Sequence, residues 1–340
     1  MERDKNILLI YNERSGTGNS LKAAYSTARY LADTNTPYEI KNVSEIRNRP
    51  AQFQGFTEVA VFGGDGTIFK AAKTIARVEG RKPILIPFPY GGQNILATEI
   101  GLGGLNKDTE VMEAVFKKVI LPDKQNGHCL ELFPVTYRLN RSKHEHLIFW
   151  HLTAGTGITY NTLRSLEESR LRNKLIQYAA IVKSGLNNSR YQDNVRVTVR
   201  KHDSPGIEEF DAVESTIIKN PPGRWSKVRV GAKPHSRVLL SIGRGETNRD
   251  PRSLALRVGM ESFKAMMGYP IQEYDPGNQS RSLSVLDLNG FEQVIFTSSN
   301  QSFVVADSEI TPTRAPWGTV TVTPETDNHS VRVFSLNNKY

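Results

Sequence analysis

The chain has 340 residues, of which 38% are hydrophobic and 23% charged, a composition typical of soluble globular proteins rather than disordered ones. A chain of this length is too long to fold around one small hydrophobic core, and it suits two domains of ordinary size. The single cysteine, Cys129, excludes an internal disulfide framework, disfavours a cysteine-based zinc site and fits a reducing cytosol. The net charge of +9 favours an anionic partner such as nucleic acid, an anionic membrane face or a phosphate-rich ligand.

The beginning of the sequence does not have the pattern of a signal peptide. The residues MERDKN precede a short apolar run at 7–10, which is shorter than the apolar region that secretion requires. No stretch approaches the ~20 apolar residues of a membrane-spanning helix. We therefore expect a cytoplasmic protein that is soluble or peripheral to a membrane.

The first third of the chain alternates strand and helix patterns. Residues 7–11, 59–62 and 84–86 are apolar runs without alternation, as expected for strands buried on both faces. Each run is followed by a loop and a helical pattern, and this repeat predicts a parallel sheet with helices packed on its faces. The apolar helix positions are Leu21, Ala24, Tyr25, Ala28 and Leu31 after the first run, Ile68, Ala71, Ala72 and Ile75 after the second, and 95–97 after the third.

The pattern changes near residue 128. Alternation in residues 131–139 predicts antiparallel strands that continue to about 160, and the segments 195–199 and 319–322 are also β-rich. Two helical patterns, at about 162–186 and 253–267, interrupt them. We predict an α/β domain at 1–127 and a second, mainly antiparallel β-rich domain at 128–340.

A polar loop that contains glycine stands at each of the three strand-to-helix junctions. The loops read NERSGTG at 12–18, GGDGT at 63–67 and YGGQN at 90–94. In an open α/β sheet such loops lie at the carboxyl ends of the strands, where ligands bind. Glycine lets backbone N–H groups approach a phosphate closely, and the helix N-termini that follow favour anions. For any one loop the glycines need only make a tight turn, but three loops at one sheet edge favour a phosphate site.

None of these loops is a familiar phosphate motif of another class. The sequence has no Gly-x-x-x-x-Gly-Lys-Ser/Thr, and residues 16–18 lack the third glycine of a dinucleotide fingerprint. The GGDGT loop after a buried strand instead resembles the signature shared by diacylglycerol-type lipid kinases and NAD kinases. NERSG at 12–16 is similar to the nucleotide loop of the lipid branch, and 86–102 is similar to its third motif. The chain therefore resembles the diacylglycerol, sphingosine and ceramide kinase family.

Later segments resemble the same family in the same order. TAGTG at 153–157 is similar to the Gly-x-Gly motif that opens the lipid-binding domain, and ADSE at 306–309 resembles the late Asp-Gly-Glu motif. The family architecture implies a Rossmann-like nucleotide-binding domain and a sandwich-like lipid-binding domain whose last strands can return to the first. Three positions depart from the family: Thr159 replaces an aspartate, an Asp-Asp-Gly stretch is absent around 234–240, and Asn94 is followed by Ile95 instead of an aspartate.

The resemblance implies ATP and Mg²⁺ as cofactors and phosphoryl transfer to a lipid hydroxyl. Two carboxylates compete for the role of catalytic base: Asp65, which matches sphingosine kinases and is our first choice, and Glu309, which matches bacterial diacylglycerol kinases. A charged residue in a surface turn is the alternative for Glu309. At a helix N-terminus Asp65 should be ionised at neutral pH. No protein side chain is assigned as a metal ligand. The implied nucleotide-binding residues are Asn12, Arg14, Ser15, Gly16, Gly63, Gly64, Gly66, Thr67, Gly91, Gly92 and Asn94.

The expected partners are a lipid substrate and an anionic membrane surface. Trp225 among the cations of 223–229 suits a membrane interface, although a half-buried tryptophan in an ordinary loop is the alternative. Nucleic acid ranks last, because the basic residues are scattered and resemble no known nucleic-acid module. Family members commonly form homodimers, and the sequence carries no information on that state. The HEH triplet at 144–146 lies in a polar turn, where a metal site is disfavoured.

Two other functions share these features. A kinase acting on NAD or a soluble polyol would carry the same GGDGT loop. A non-catalytic nucleotide or lipid sensor is motivated by Thr159 and by the missing Asp-Asp-Gly stretch. Among lipid acceptors, diacylglycerol and ceramide lead, because each presents a primary hydroxyl beside two acyl-type chains, while sphingoid bases and phosphatidylglycerol stay open.

Overall fold

The computed structural model divides the chain into two compact units, Met1–Phe133 with Thr326–Tyr340, and Pro134–Glu325. The sequence-based boundary at 127 precedes this division. The residues described are 6–15, 18–46, 49–91, 94–102, 128–140, 142–149, 151–155, 195–201, 204–212, 214–219, 238–243, 283–288, 291–298, 303–307, 309–310, 318–324 and 329–335. The helical patterns at 162–186 and 253–267, the loop at 223–229 and Thr159 lie outside them.

The described helices and strands are numbered in chain order. The helices are α1 (Ser20–Asp33), α2 (Asp65–Ile75) and α3 (Ile95–Glu99), with short 3-10 turns at Val43–Glu45 and Pro50–Phe53. The strands are β1 (Ile7–Tyr11), β2 (Tyr38–Asn42), β3 (Glu58–Gly63), β4 (Ile84–Pro89), β5 (His128–Leu132), β6 (Val135–Leu139), β7 (His146–Ile148), β8 (His151–Gly155), β9 (Val195–Lys201), β10 (Ser204–Ala212), β11 (Glu214–Lys219), β12 (Val238–Gly243), β13 (Leu283–Asp287), β14 (Phe291–Thr297), β15 (Phe303–Ala306), β16 (Glu309–Ile310), β17 (Thr319–Pro324) and β18 (Val331–Ser335). None of the described helices is long and apolar enough to cross a membrane.

The first unit contains one six-stranded sheet in the order β2-β1-β3-β4-β18-β5. Strands β1 and β3 are apolar throughout their buried centres because both faces of the sheet are covered. The pairings from β2 to β18 are parallel, which confirms the parallel sheet predicted for the first three runs, whereas β5 runs antiparallel to β18. The alternating segment 131–139 contributes to two strands, β5 and β6, because Pro134 lacks a backbone N–H and lies between them.

Helices α1 and α2 present small and apolar side chains to the core of the first unit. All four predicted apolar positions of α2 are buried, which confirms its predicted face. On α1 the buried residues include Ala24, Ala28 and Leu31, but Tyr25 is 54% exposed, so its predicted place on the apolar face is wrong. The Tyr25 ring lies beside that of Tyr11, with 6.3 Å between the ring centroids. The Tyr11 ring thus covers part of the Tyr25 ring, which lies outside the hydrophobic core.

The second unit contains two antiparallel six-stranded sheets, in the orders β10-β9-β14-β17-β6-β7 and β13-β12-β11-β8-β15-β16. Residues of both sheets share one hydrophobic cluster, to which Val197 and Phe296 contribute from the first sheet and Leu152 and Ile217 from the second. Such shared burial holds two sheets face to face. The predicted antiparallel β-rich fold is thereby confirmed, including the strands expected at 195–199 and 319–322.

The last strand, β18, lies in the sheet of the first unit between β4 and β5. Side chains fasten it there: Lys82 Nζ donates to the Ser330 carbonyl at 3.1 Å, and Arg332 Nη2 donates to the Lys82 carbonyl at 3.2 Å. Ser330 Oγ donates to Glu131 Oε1 on β5 at 2.6 Å. Burial lowers the pKa of Lys82, and the nearby Glu131 carboxylate opposes this shift. These bonds tie the start of β18 to the residue segment before β4 and to β5.

Candidate functional site

Three loops meet at the carboxyl edge of the sheet in the first unit. They follow β1, β3 and β4, which are neighbours in register: Tyr11 pairs with Phe62, and Gly63 pairs with Pro89. Because neighbouring parallel strands end at the same edge, the loops that follow them lie side by side. The prediction that the three glycine loops share one sheet edge is confirmed.

The first loop is fastened to the second by two side-chain hydrogen bonds. Asn12 Nδ2 donates to Thr67 Oγ1 at 2.8 Å, and the buried Ser15 Oγ accepts from the Gly64 N–H at 3.3 Å. Asn12 Oδ1 also accepts from the Arg14 N–H at 3.0 Å. Arg14 is exposed, and Gly16 lies outside the described residues. The polar side chains of Asn12 and Ser15 therefore brace the loops against each other.

The second loop turns directly into α2. The Gly64 carbonyl accepts from the Thr67 and Ile68 N–H groups, each at 3.0 Å, which closes the first helical turn. A Cβ at Gly63 would lie 2.8 Å from the Thr67 Cβ, so a side chain at 63 has no room. A Cβ at Gly66 would meet nothing within 4 Å in the described part of the chain. The start of α2, whose dipole favours anions, thus has open space at Gly66.

The third loop packs backbone against backbone on the second. A Cβ on Gly91 would lie 2.4 Å from the Gly64 Cα, which is too close for any side chain, so the approach of the two loops requires glycine at position 91. Asn94 adopts the left-handed conformation with φ 51° and is 7% exposed. Its Oδ1 accepts from the Gly91 N–H at 2.6 Å, and its Nδ2 donates to the Pro89 and Gly91 carbonyls at 3.1 and 2.9 Å. The Asn94 side chain is therefore engaged by its own loop. Gly92 lies outside the described residues.

Asp65 connects the second loop to α3. It is the first residue of α2 and is partly buried, and its Oδ1 accepts from the Leu96 N–H at 3.3 Å. Leu96 lies in the first turn of α3, whose backbone N–H groups lack partners within the helix. Part of the Asp65 carboxylate thus caps a second helix, a role that the sequence did not predict.

The other candidate base, Glu309, belongs to the second unit. It begins β16 and pairs with Ala306 of β15 across a turn that contains Asp307. Asp307 is fully buried with φ 49°, and its Oδ2 accepts from the Phe149 N–H at 3.1 Å. This bond ties the turn before Glu309 to the segment between β7 and β8. Asp307 is thus a structural residue of the motif that the sequence singled out.

The HEH triplet at 144–146 makes surface contacts within the second unit. Glu145 is paired with Arg138, and the His146 ring stacks on Tyr137 with 4.9 Å between the centroids. In the part of the chain that the structure describes, no group of three His, Cys, Asp or Glu residues is arranged to hold a metal ion. Glu145 and His146 are therefore occupied by neighbouring side chains.

Sequence reasoning missed Ser20, the first residue of α1. It is fully buried, and its Oγ donates to the Asn12 carbonyl at 2.7 Å. The signal was a serine at the start of a helix pattern directly after a glycine loop, where a hydroxyl commonly satisfies nearby backbone groups. Ser20 holds the first residue of the first loop in place.

Residues 6–123 match the model of the diacylglycerol kinase catalytic domain. This part of the chain is thus similar to the catalytic domain of diacylglycerol kinases. The three glycine loops, α2 and α3 all lie within it. The resemblance seen in the sequence is thereby confirmed, and the match supports a kinase of the diacylglycerol kinase and NAD kinase type. None of the curated proteins compared with the sequence matches it.

Two solved structures are similar to the whole chain. A diacylglycerol kinase from Bacillus anthracis str. Sterne is 14% identical, with 99% of this chain and 98% of that chain covered and a TM-score of 0.55. The yeast NADH kinase complexed with NADH is 11% identical, with 98% and 84% covered and a TM-score of 0.53. At these identities the likeness shows the fold. The chain thus has the fold of these two kinases.

Proposed function

We propose that the protein is an ATP-dependent lipid kinase that transfers the γ-phosphate of ATP to a lipid hydroxyl. The observation that carries the proposal is the meeting of three glycine loops at one sheet edge of a diacylglycerol kinase catalytic domain, with open space at Gly66. Phosphoryl transfer needs mainly positioning and charge stabilisation, and braced loops beside a helix N-terminus provide both.

The loops fit the phosphates of ATP. The Gly66 N–H group in the first turn of α2 can donate to a phosphoryl oxygen, and the exposed Arg14 of the first loop can supply a cation. Mg²⁺ bound with ATP would neutralise part of the phosphate charge. Of the residues expected at the nucleotide, Asn12, Ser15 and Asn94 act by holding the loops in shape, as their hydrogen bonds indicate.

Asp65 is the first choice for the group that receives the proton of the lipid hydroxyl. It lies at the start of α2, beside the space proposed for the phosphates, and the helix dipole favours its anionic form. Its bond to the Leu96 N–H orients the carboxylate before substrate arrives. Glu309 is the second choice, since it follows a turn held by Asp307.

A lipid acceptor is favoured by the loop at 12–16 and the motif at 86–102, which resemble the lipid branch. The net charge of +9 favours an anionic membrane surface, where the enzyme would work as a peripheral cytoplasmic protein. The NADH kinase likeness and the shared GGDGT loop support phosphorylation of NAD(H) as the second candidate function.

The deciding experiment is transfer of labelled γ-phosphate from ATP with Mg²⁺ to a panel of acceptors, read by mass spectrometry. The panel holds diacylglycerol, ceramide, a sphingoid base and phosphatidylglycerol in mixed micelles, with NADH and a soluble polyol tested without detergent. We expect a phosphorylated lipid. A product from NADH or the polyol alone would replace the lipid proposal, and ATP binding without any product would support a sensor.

Replacement of Gly66 by alanine tests where the phosphates bind. Alanine in the first turn of α2 should stabilise the fold by up to about 1 kcal/mol, because glycine costs more backbone entropy. The added methyl group would fill the proposed phosphate space, so the Kd for ATP should rise about 10-fold or more. Denaturant unfolding and calorimetric titration measure the two effects. Unchanged ATP affinity would place the phosphates elsewhere.

A further inference from the structure

We propose that Asn12 is a positioning residue that sets the hydrogen-bond polarity of Thr67, so that the Thr67 hydroxyl donates its proton to a phosphoryl oxygen. The inference rests on the proposed function in one respect, that the glycine loops bind a nucleoside triphosphate. It does not depend on which acceptor receives the phosphate. The two residues lie 55 positions apart in the sequence and meet where the first loop touches α2.

The orientation of the Asn12 amide follows from its neighbours. The Arg14 N–H lies 3.0 Å from one end of the amide, and because an N–H group only donates, that end is the oxygen Oδ1. The other end, Nδ2, therefore faces Thr67 Oγ1 at 2.8 Å. An amide nitrogen also only donates, so the Thr67 oxygen accepts this bond.

A hydroxyl group that accepts from Asn12 keeps its own proton for a second partner. Among the described residues, none is seen to accept this proton. The Thr67 side chain is 6% exposed and lies against Gly63, where a Cβ would come within 2.8 to 3.0 Å of it, so its rotamer is confined. The hydroxyl lies in the first turn of α2, where a phosphoryl oxygen is the acceptor that the helix dipole favours.

Asn12 is itself held by bonds that do not involve a ligand. Its N–H donates to the Phe62 carbonyl at 3.2 Å, and its carbonyl accepts from the Ser15 N–H at 2.9 Å and from Ser20 Oγ at 2.7 Å. With Oδ1 on Arg14 and Nδ2 on Thr67, both ends of its side chain are engaged. Asn12 therefore acts on the nucleotide through Thr67 rather than by direct contact.

The test reverses the polarity at constant size with Asn12→Asp. The new carboxylate can still accept from the Arg14 N–H, but it would also accept the Thr67 proton and so remove the donor. We expect the Kd for ATP to rise about 10- to 100-fold, the usual worth of a hydrogen bond to a charged group, while the Kd for adenosine stays the same. Thr67→Val, which removes the hydroxyl, should give a similar loss of ATP affinity. Thr67→Ser, which keeps the hydroxyl, should bind ATP with a Kd within a few-fold of the wild-type value.

The double variant Asn12→Asp with Thr67→Val separates the loss of the Thr67 donor from direct repulsion between the new carboxylate and the phosphates. If Asn12 acts through Thr67, Asn12→Asp adds little to the loss caused by Thr67→Val. A full further loss in the double variant would show direct repulsion between the carboxylate and the phosphates and would overturn the proposal, as would equal losses for ATP and adenosine. Calorimetric titration needs no lipid and therefore tests ATP binding separately from catalysis. ATP binding without any lipid product would contradict the lipid kinase proposal and leave the proposal for Asn12 standing. A wild-type chain without affinity for ATP would overturn both.

Discussion

Asp65→Asn is expected to lower the rate of phosphoryl transfer by about 100- to 10,000-fold, the usual contribution of a catalytic base, while the fold stays intact. Asparagine has the size of aspartate, and its Oδ1 can still accept from the Leu96 N–H, so the cap on α3 is kept. The variant loses the negative charge and the ability to receive a proton. Initial rates with ATP and the accepted lipid, together with the thermal midpoint, measure both effects.

Two companion variants make this result specific. Asp65→Ala removes the cap as well as the charge, so it should lose activity and also unfold at a lower temperature. Glu309→Gln tests the competing carboxylate in the second unit by the same change of charge. Near-normal turnover in Asp65→Asn, with a large loss in Glu309→Gln, would transfer the role of base to Glu309.

Gly91→Ala is expected to destabilise the first unit by about 1–3 kcal/mol or more and to abolish ATP binding. The added Cβ would lie 2.4 Å from the Gly64 Cα and 2.8 Å from Asn94 Oδ1. Neither neighbour can move freely, since one is backbone and the other is bound within its own loop. The second and third loops would have to separate, which would open the phosphate site.

Gly66→Ala is the matched control for this substitution, because it adds the same methyl group where the described chain offers open space. Denaturant unfolding should show the two variants moving in opposite directions. A Gly91→Ala protein as stable as wild type, with normal ATP affinity, would show that the close approach of the two loops is not required.

The sequence predicts elements well where a single physical requirement dominates. The central strands β1, β3 and β4 are uninterrupted apolar runs because the sheet is covered on both faces. The edge strand β2 was missed, because its residues, YEIKN, are mostly polar and only partly buried. The sheet to which β18 belongs could not be predicted from its own residues either. A strand of five residues has the same sequence pattern whether it pairs within the first sheet or within the second unit.

At the site, glycine spacing located the loops but could not assign the polar side chains. Asn12 and Asn94 were interpreted as nucleotide ligands, and the structure shows both engaged in holding loops. The two interpretations need the same residue types at the same positions. Only the partner atoms separate them, and in the case of Asn12 the partner is 55 residues away.

The position of β18 has a consequence for synthesis on the ribosome. The sheet of the first unit lacks a strand between β4 and β5 until residues 331–335 have been made. At about 5–20 residues per second, the stretch from Leu132 to Val331 takes roughly 10–40 s to translate. During that time the edges of β4 and β5 are unpaired and open to wrong strand partners. The first unit is thus the first to be synthesised in part and the last to be completed.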